Sequence, residues 1–587
     1  MSATASRALG ALLLPWALLA CAQDEGGIER RRPQPGTPAE TRLPEIDPAR
    51  VPPPEAWLPR ETVPVRDRWR ITRSLGLLPY NRWDPYNPNF MKGDLPIGGT
   101  PWQGWFVNVA AISDTVLEAR VLPSSSAAPA TEAPGINVGT HAARQSSFVE
   151  TAVLSLSLIK GDTVFRPPDY EIRFVPVANW NRVRTEDRGV LNVDPGAGVT
   201  RDDNFLGIQE LFLDKHLRDV SSRYDFDSVR IGIQPFTADF RGLLFIDQAA
   251  GVRFFGTRDN NRWQYNAAWL RRLEKDTNSG LNDASQRLRA DDVYVFNLYR
   301  QDWPVLGFTT QGAVLHNRNR EGDRPPYLNA NGFVERPAVM GSGRPHNYQV
   351  TYAGLNGDGH FGRWNLSASG YYAFGTDQRG MLSGREEDIG AWFGAAELSR
   401  DFDWLRLRAS ALYASGDRDP FDGRAGGFDA VLENPVLAGA DTSYWIRQSI
   451  PLLGGGGVAL SMRNGVLPSL RTSREHGQSN FTNPGLRLIG FGADADIEPG
   501  LRLIANASYL QFDNVSSLAT LRNQRLTSRD IGWDLSVGVQ FRPLFIQNIV
   551  INASAAVLMA AEGLKQLYGT ATDSTQYSVL LNVVLTF

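Results

Sequence analysis

The chain has 587 residues, 60 of them Lys or Arg and 63 Asp or Glu, for a formal net charge of −3 at pH 7. That balance leaves no electrostatic footprint for nucleic acid, and the one cysteine, Cys21, excludes an internal disulfide. Beyond the first two dozen residues no run approaches the roughly 18 apolar residues of a membrane helix, although a closed β-barrel satisfies its backbone in lipid without one.

In chain order, Arg7 precedes an apolar core that ends at Ala20, which predicts a signal peptide over residues 1–22. The core closes on L-L-A-C, Leu18 to Cys21, and resembles the bacterial lipobox, whose cysteine is lipidated after cleavage. The other reading is ordinary cleavage after Ala22, and both carry the protein out of the cytoplasm. Residues 23–65 hold ten prolines between Pro33 and Pro64. They read as an extended, semi-rigid periplasmic tether. Residues 66–101, rich in aromatics, Asn and Pro, read as an irregular periplasmic lead-in.

From 102 to 587 the pattern changes to period-two alternation. Eighteen such segments fall near 102–111, 149–159, 170–182, 204–217, 228–236, 249–257, 262–273, 291–301, 306–318, 346–356, 362–375, 387–399, 403–415, 485–497, 500–513, 529–542, 548–560 and 576–587. Most have the length of a tilted transmembrane strand. Even-numbered joins are mostly tight, as at 258–261, 302–305 and 357–360. Odd-numbered joins are mostly long, at 112–148, 183–203, 274–290, 319–345 and, longest, 416–484. Short turns at one rim and long loops at the other predict an all-β fold, a transmembrane antiparallel up-and-down barrel of about 18 strands, with the N-terminus periplasmic.

The alternation also predicts which face each side chain takes. Val229, Ile231 and Ile233 face outward, with Trp263, Tyr265 and Trp269 in an interfacial girdle. The opposite face is polar and, in a barrel this wide, lines a lumen. Its basic members include Arg230, Arg253, Arg406, Arg408, Arg502 and Arg542. Its acidic members include Glu210, Asp214 and Asp534. These either form cross-strand ladders that stiffen the wall or line a solute path. The last strand, ending in Phe587, resembles the C-terminal signal read by the barrel-assembly machinery of Gram-negative outer membranes. Expected partners are therefore outer-membrane lipid, that machinery, and a periplasmic protein reached through the N-terminal segment.

Two stretches resemble the alginate-export family of outer-membrane barrels. The first combines I-Q-E-L-F-L-D (208–214), V-R-I-G-I-Q-P-F (229–236) and G-V-R-F-F (251–255), with an inward Glu, a Gly-Gln pair and a later Gly-Val-Arg. The second, Y-A-S-G-D-R-D-P-F-D-G-R-A-G-G-F-D (413–429), is similar to that family's Ser-Gly-Asp-rich loop. The resemblance implies an 18-stranded porin passing polysaccharides or other hydrophilic solutes, anionic saccharides among them. No H-E-x-x-H and no C-x-x-C-H occurs, and no cofactor is expected. The alternatives are a barrel sleeve for a periplasmic or electron-transfer partner and, on the strength of His316 alone, a barrel hydrolase. The expectation is a channel rather than an enzyme.

Overall fold

A computed structural model describes residues 83–84, 89–98, 101–123, 130–131, 142–161, 167–223, 225–336, 344–450, 452, 458–460, 465–467, 470–543, 546–573 and 575–587. The signal peptide with Cys21, the tether 23–65 and most of the lead-in 66–101 lie outside these residues. Eighteen long strands form the wall: β1 (Trp105–Pro123), β2 (Ala142–Lys160), β3 (Tyr170–Thr185), β4 (Thr200–Asp219), β5 (Phe226–Thr237), β6 (Ile246–Arg258), β7 (Trp263–Arg271), β8 (Asp291–Arg300) and β9 (Phe308–Arg320), followed by β10 (Asn347–Phe361), β11 (Trp364–Asp377), β12 (Glu387–Phe402), β13 (Leu405–Ala414), β14 (Leu486–Glu498), β15 (Leu501–Gln511), β16 (Asp530–Phe541), β17 (Ile549–Ala560) and β18 (Gln576–Thr586). Each pairs antiparallel with its sequence neighbour. β1 then pairs with β18 from Ile112↔Thr586 to Arg120↔Ser578, which closes the barrel. Closure leaves no edge among the wall strands to template association.

The eighteen expected segments each fall on one of these strands. The largest boundary difference is at the first join, where β1 runs on to Pro123 and β2 begins at Ala142, so residues 112–123 and 142–148 are wall rather than loop. The lead-in is also more ordered than expected. A short strand, Lys92–Pro96, pairs with β1 at Asn108 and Phe106. Lys92 places its ammonium 4.1 Å from the Phe587 ring centroid, and Phe587 and Ala111 exchange both backbone hydrogen bonds.

The pattern forms a barrel because each face meets a different medium. Along β16, Trp533, Leu535, Val537, Val539 and Phe541 are exposed on the outside, while Asp534 and Ser536 between them are buried inside. Aromatic pairs ring the outer wall near both rims, with Trp105–Tyr170 stacked at the short-turn end and Trp392–Tyr372 and Tyr509–Trp533 at the other. Trp263 and Trp269 stand at opposite ends of β7 and so belong to different belts. His316 faces outward beside Tyr294, its Nδ1 2.9 Å from Thr351 Oγ1. This is a girdle position, with no serine partner among the described residues.

Inside, the barrel is not empty. The join 415–485 supplies Phe428, Val431, Tyr444, Trp445, Ile446 and Ile450 to one apolar cluster with inward wall residues such as Tyr352, Phe393 and Leu412. Two further joins, 512–529 and 561–575, carry short helices, α2 (Ser516–Arg522) and α3 (Glu562–Tyr568), whose Leu518 and Leu564 join the same cluster. A helix α1 (Tyr444–Arg447) lies within the long join itself.

Candidate lumenal site

The long join is an inward plug, held to the wall at several places around its circumference. On β16, Asp534 accepts from Ser443 Oγ at 2.6 Å, from the Trp445 N–H at 2.7 Å and from the Tyr444 N–H at 3.1 Å. A carboxylate there meets donors that the short α1 cannot satisfy within itself. Thr442 bonds Ser536 of β16 at 2.8 Å and accepts from Asn506 of β15 at 2.9 Å. On β1, Glu118 accepts from Gln448 at 2.7 Å and lies 3.5 Å from the Arg447 guanidinium, and Arg120 donates to Gln448 at 2.6 Å. On the far side Leu432 pairs with Phe245, and Arg289 donates to the Glu475 carbonyl at 2.8 Å.

The second motif explains how the plug leaves the wall. Arg424 and Ala425 add a short parallel strand to β12, opposite Asp388 and Ile389. Phe428 then packs against Phe393, ring centroids 4.9 Å apart, and Asp429 receives Arg471. A second, shorter join also turns inward. Residues 238–245 are nearly all buried, and Asp239 gathers the N–H groups of Arg241, Leu243 and Leu244 into a tight turn.

The wall left partly exposed carries an alternating series of guanidinium and phenyl groups. Arg173 (β3) and Arg230 (β5) flank Phe212 (β4), at 5.7 and 4.2 Å from its centroid. Arg230 and Arg253 (β6) flank Phe255, at 5.7 and 4.7 Å, and Arg253 continues to Phe236 at 5.4 Å. The series thus runs from Arg173 to the base of the inward 238–245 join. Its first two arginines are ion-paired, Arg173 with Glu171 at 2.9 Å and Glu210 at 3.6 Å, and Arg230 with Asp214 at 2.8 Å. Arg253 donates to Asn266 at 2.7 Å and has no carboxylate at ion-pair distance among the described residues. Arg230 and Arg253 stand directly opposite each other in the β5–β6 register. Like charges in that position destabilise a sheet, so the pair is held against its own repulsion. Gly232, with φ +129°, sits opposite Gly251. A Cβ on Gly232 would meet the Leu211 carbonyl at 2.2 Å, so this close approach of backbones admits only glycine. Gln234 donates to the Gly251 carbonyl at 3.1 Å. The Gly-Gln and Gly-Val-Arg residues of the first motif therefore shape the strand pair that presents Arg230 and Arg253.

The expected lumen residues fall into three groups. Glu210, Asp214, Arg230 and Arg253 come together in the series. Arg406 and Arg502 are bound two-pronged by Asp401 and Asp496 beside the turns 403–404 and 499–500, with Arg542 at the same rim. They are solvent-facing rim residues, not wall residues of the plugged region. Asp534 and Arg408 correct the expectation, because neither lines open lumen. Asp534 is covered by α1. Arg408 is largely buried against Asp494 at 2.8 Å and Glu397 at 3.7 Å. The plug's apolar residues need cover, and the wall beneath them is no longer wet. The sequence pattern does not single out Glu118 and Arg120, which fall within the first expected join but lie on β1, nor Phe212, Phe236 and Phe255. Their signal was aromatic residues at inward positions of otherwise polar faces.

No family model matches this chain, and no curated protein sequence matches it either. Solved structures with a similar course include Pseudomonas aeruginosa OccK9 (OpdG), with 12% identity over 82% of this chain and 98% of that one and a TM-score of 0.44. Acinetobacter baumannii OccAB3 gives 11% identity over 81% and 99%, TM-score 0.42. A BenF-like porin from Pseudomonas fluorescens Pf-5 gives 11% over 81% and 98%, TM-score 0.43.

Proposed function

We propose that the chain is an outer-membrane porin, a diffusion channel for hydrophilic solutes, with anionic solutes, carboxylated saccharides among them, as its cargo. The observation that carries this reading is the arginine–phenylalanine series on a partly exposed inner wall. Guanidinium groups match carboxylates in a planar, two-pronged fashion, while the buried rings of Phe212 and Phe236 back the arginines and only the half-buried Phe255 is left to offer apolar contact to a sugar ring. Arg253, lacking a carboxylate partner, is the group with free electrostatic capacity. Its repulsion by Arg230 is relieved when an anion lies between them. The apolar outer face, the aromatic belts and the closed edge support placement in a lipid bilayer that barrels can enter, with short turns toward the periplasm.

Liposome swelling tests the reading. Proteoliposomes holding the barrel should swell faster in a carboxylated monosaccharide than in its uncharged counterpart of the same size. Arg253→Gln should bring the two rates together. Equal rates with the unaltered protein would remove the anion preference, and no swelling in either solute would remove the channel.

A further inference from the structure

We propose that the outer wall carries a groove for an anionic phospholipid, with an acyl chain lying across β16, β17, β18, β1 and β2 and the headgroup on Arg182 and Arg184 of β3. The inference rests on the outer-membrane reading above and adds a specific lipid site to it. A shallow hollow of about 800 Å³ opens on the outside of the barrel over these strands. Its floor follows the hydrogen-bonding direction, not the strands. One row reads Arg182, Phe148, Leu117, Leu581, Ala553, Val539 in direct register. In the adjoining row Ser146, Ala119 and Ala555 are small, which is why the surface sinks there. Six strands at their usual spacing give a length of about 24 Å, the reach of one extended long acyl chain.

The two ends differ in charge. At the β16–β17 end the groove is apolar and lies mid-strand. At the β3 end it meets Arg182 and Arg184, close to the join 186–199 at the long-loop rim. Arg182 is 3.7 Å from Asp202, both well exposed, and Arg184 has no carboxylate at ion-pair distance among the described residues. Arg144, 4.0 Å from Glu186, adds a third guanidinium at this rim. With Asp202, Glu186 and, farther along the outer face, Glu150, the three guanidinium groups meet three carboxylates, and Arg184 is the one with none at ion-pair distance among the described residues, so it is the group left to meet an anionic headgroup. The outward carboxylate nearest the floor, Glu150, is occupied by the hydroxyls of Ser113 and Thr115. A solute in the lumen has no access to this face. The polarity of the groove, charged at the rim and apolar into the wall, is that of a lipid.

Native mass spectrometry of the full-length barrel in detergent, titrated with phosphatidylglycerol and phosphatidylcholine of identical chains, tests the site. Phosphatidylglycerol should be retained about tenfold more strongly, from two arginines near an anionic headgroup. Arg182→Gln with Arg184→Gln should abolish that preference, and Ala555→Trp, which fills the floor, should weaken both lipids. Insertion into vesicles is scored on the same preparations. Equal retention of phosphatidylglycerol by the unaltered and the double-Gln protein overturns the groove, as does its survival in Ala555→Trp. A dimer that Ala555→Trp dissolves, without retained lipid, overturns it in favour of a second copy of the chain. Insertion without lipid preference removes the groove alone, whereas failure to insert removes the outer-membrane reading with it.

Discussion

Replacing Asp534 by Ala should release the plug while leaving the wall intact. The carboxylate takes three hydrogen bonds, from Ser443 Oγ and the backbone N–H groups of Tyr444 and Trp445. Tyr444 and Trp445 are fully buried, so these donors find no water while the plug stays docked. Hydrogen bonds to a charged group contribute about 1.5–3 kcal/mol each. The three share one carboxylate, and burying that charge offsets part of the gain, so the net loss is about 2–4 kcal/mol rather than their sum. That shifts the docked-to-undocked ratio by roughly 30- to 800-fold. Asp534 spends no side-chain bond on a neighbouring wall strand, so the barrel should keep its heat-modifiable mobility. The assay is maleimide labelling of a single cysteine at Ala440, a buried plug position, in a Cys21→Ser background. Where undocking is fast relative to labelling, the rate reports the undocked population. A rise of less than threefold with a folded barrel would refute the anchoring role. Loss of the folded barrel would show that Asp534 supports the wall instead.

Replacing residues 420–482 with a short Gly-Ser linker should raise single-channel conductance at least about twofold, given the width an 18-stranded lumen has when unfilled; unchanged conductance with a folded barrel would make the join an ornament. Arg253→Glu, a change of two unit charges, should shift the anion-to-cation permeability ratio toward cations by about 30-fold, from roughly 1 kcal/mol per nearby charge, as read from reversal potentials. Asp417 and Glu335, in the long loops, are both pushed up to about 7, first by burial and then by Glu387 and Asp422 beside the former and Glu475 beside the latter, against hydrogen bonds from Gly426 and Asn329. Folding then favours the protonated forms relative to an unfolded value of about 4, so loop packing is strongest below pH 4 and weakens as pH rises through 7. Labelling at Ala440→Cys, divided at each pH by the rate for a free thiol because the thiolate is the reacting form, should accordingly increase between pH 5 and pH 8, and should flatten in Asp417→Asn with Glu335→Gln. Phe587→Ala, which removes the ring that Lys92 covers, should lower the yield of heat-modifiable barrel; a normal yield would deny that residue a part in closure.

The wall was legible because period-two alternation is a direct consequence of facing two media, and β16 or β5 can be read residue by residue. The first join was not, because Thr115 and Glu150 put polar groups on the outer face and broke the pattern that would have extended β1 and β2. The long join carries Phe428, Tyr444 and Trp445, apolar surface that the interior of the barrel buries. Its anchors were less readable, since Asp534 meets Ser443 across 91 residues of separation and period-two parity marks a residue as inward without saying whether water or a plug covers it. That distinction separates Arg230 and Arg253 from Arg408 and Asp534, which share the same parity rule and end in different surroundings.

Single-channel recording of the refolded barrel in a planar bilayer, under a salt gradient, tests the central claim most directly. The account predicts discrete conductance steps with a reversal potential on the anion-selective side, moved toward zero by Arg253→Gln. A folded barrel that inserts without conducting, or that conducts with cation selectivity indifferent to Arg253, would contradict it.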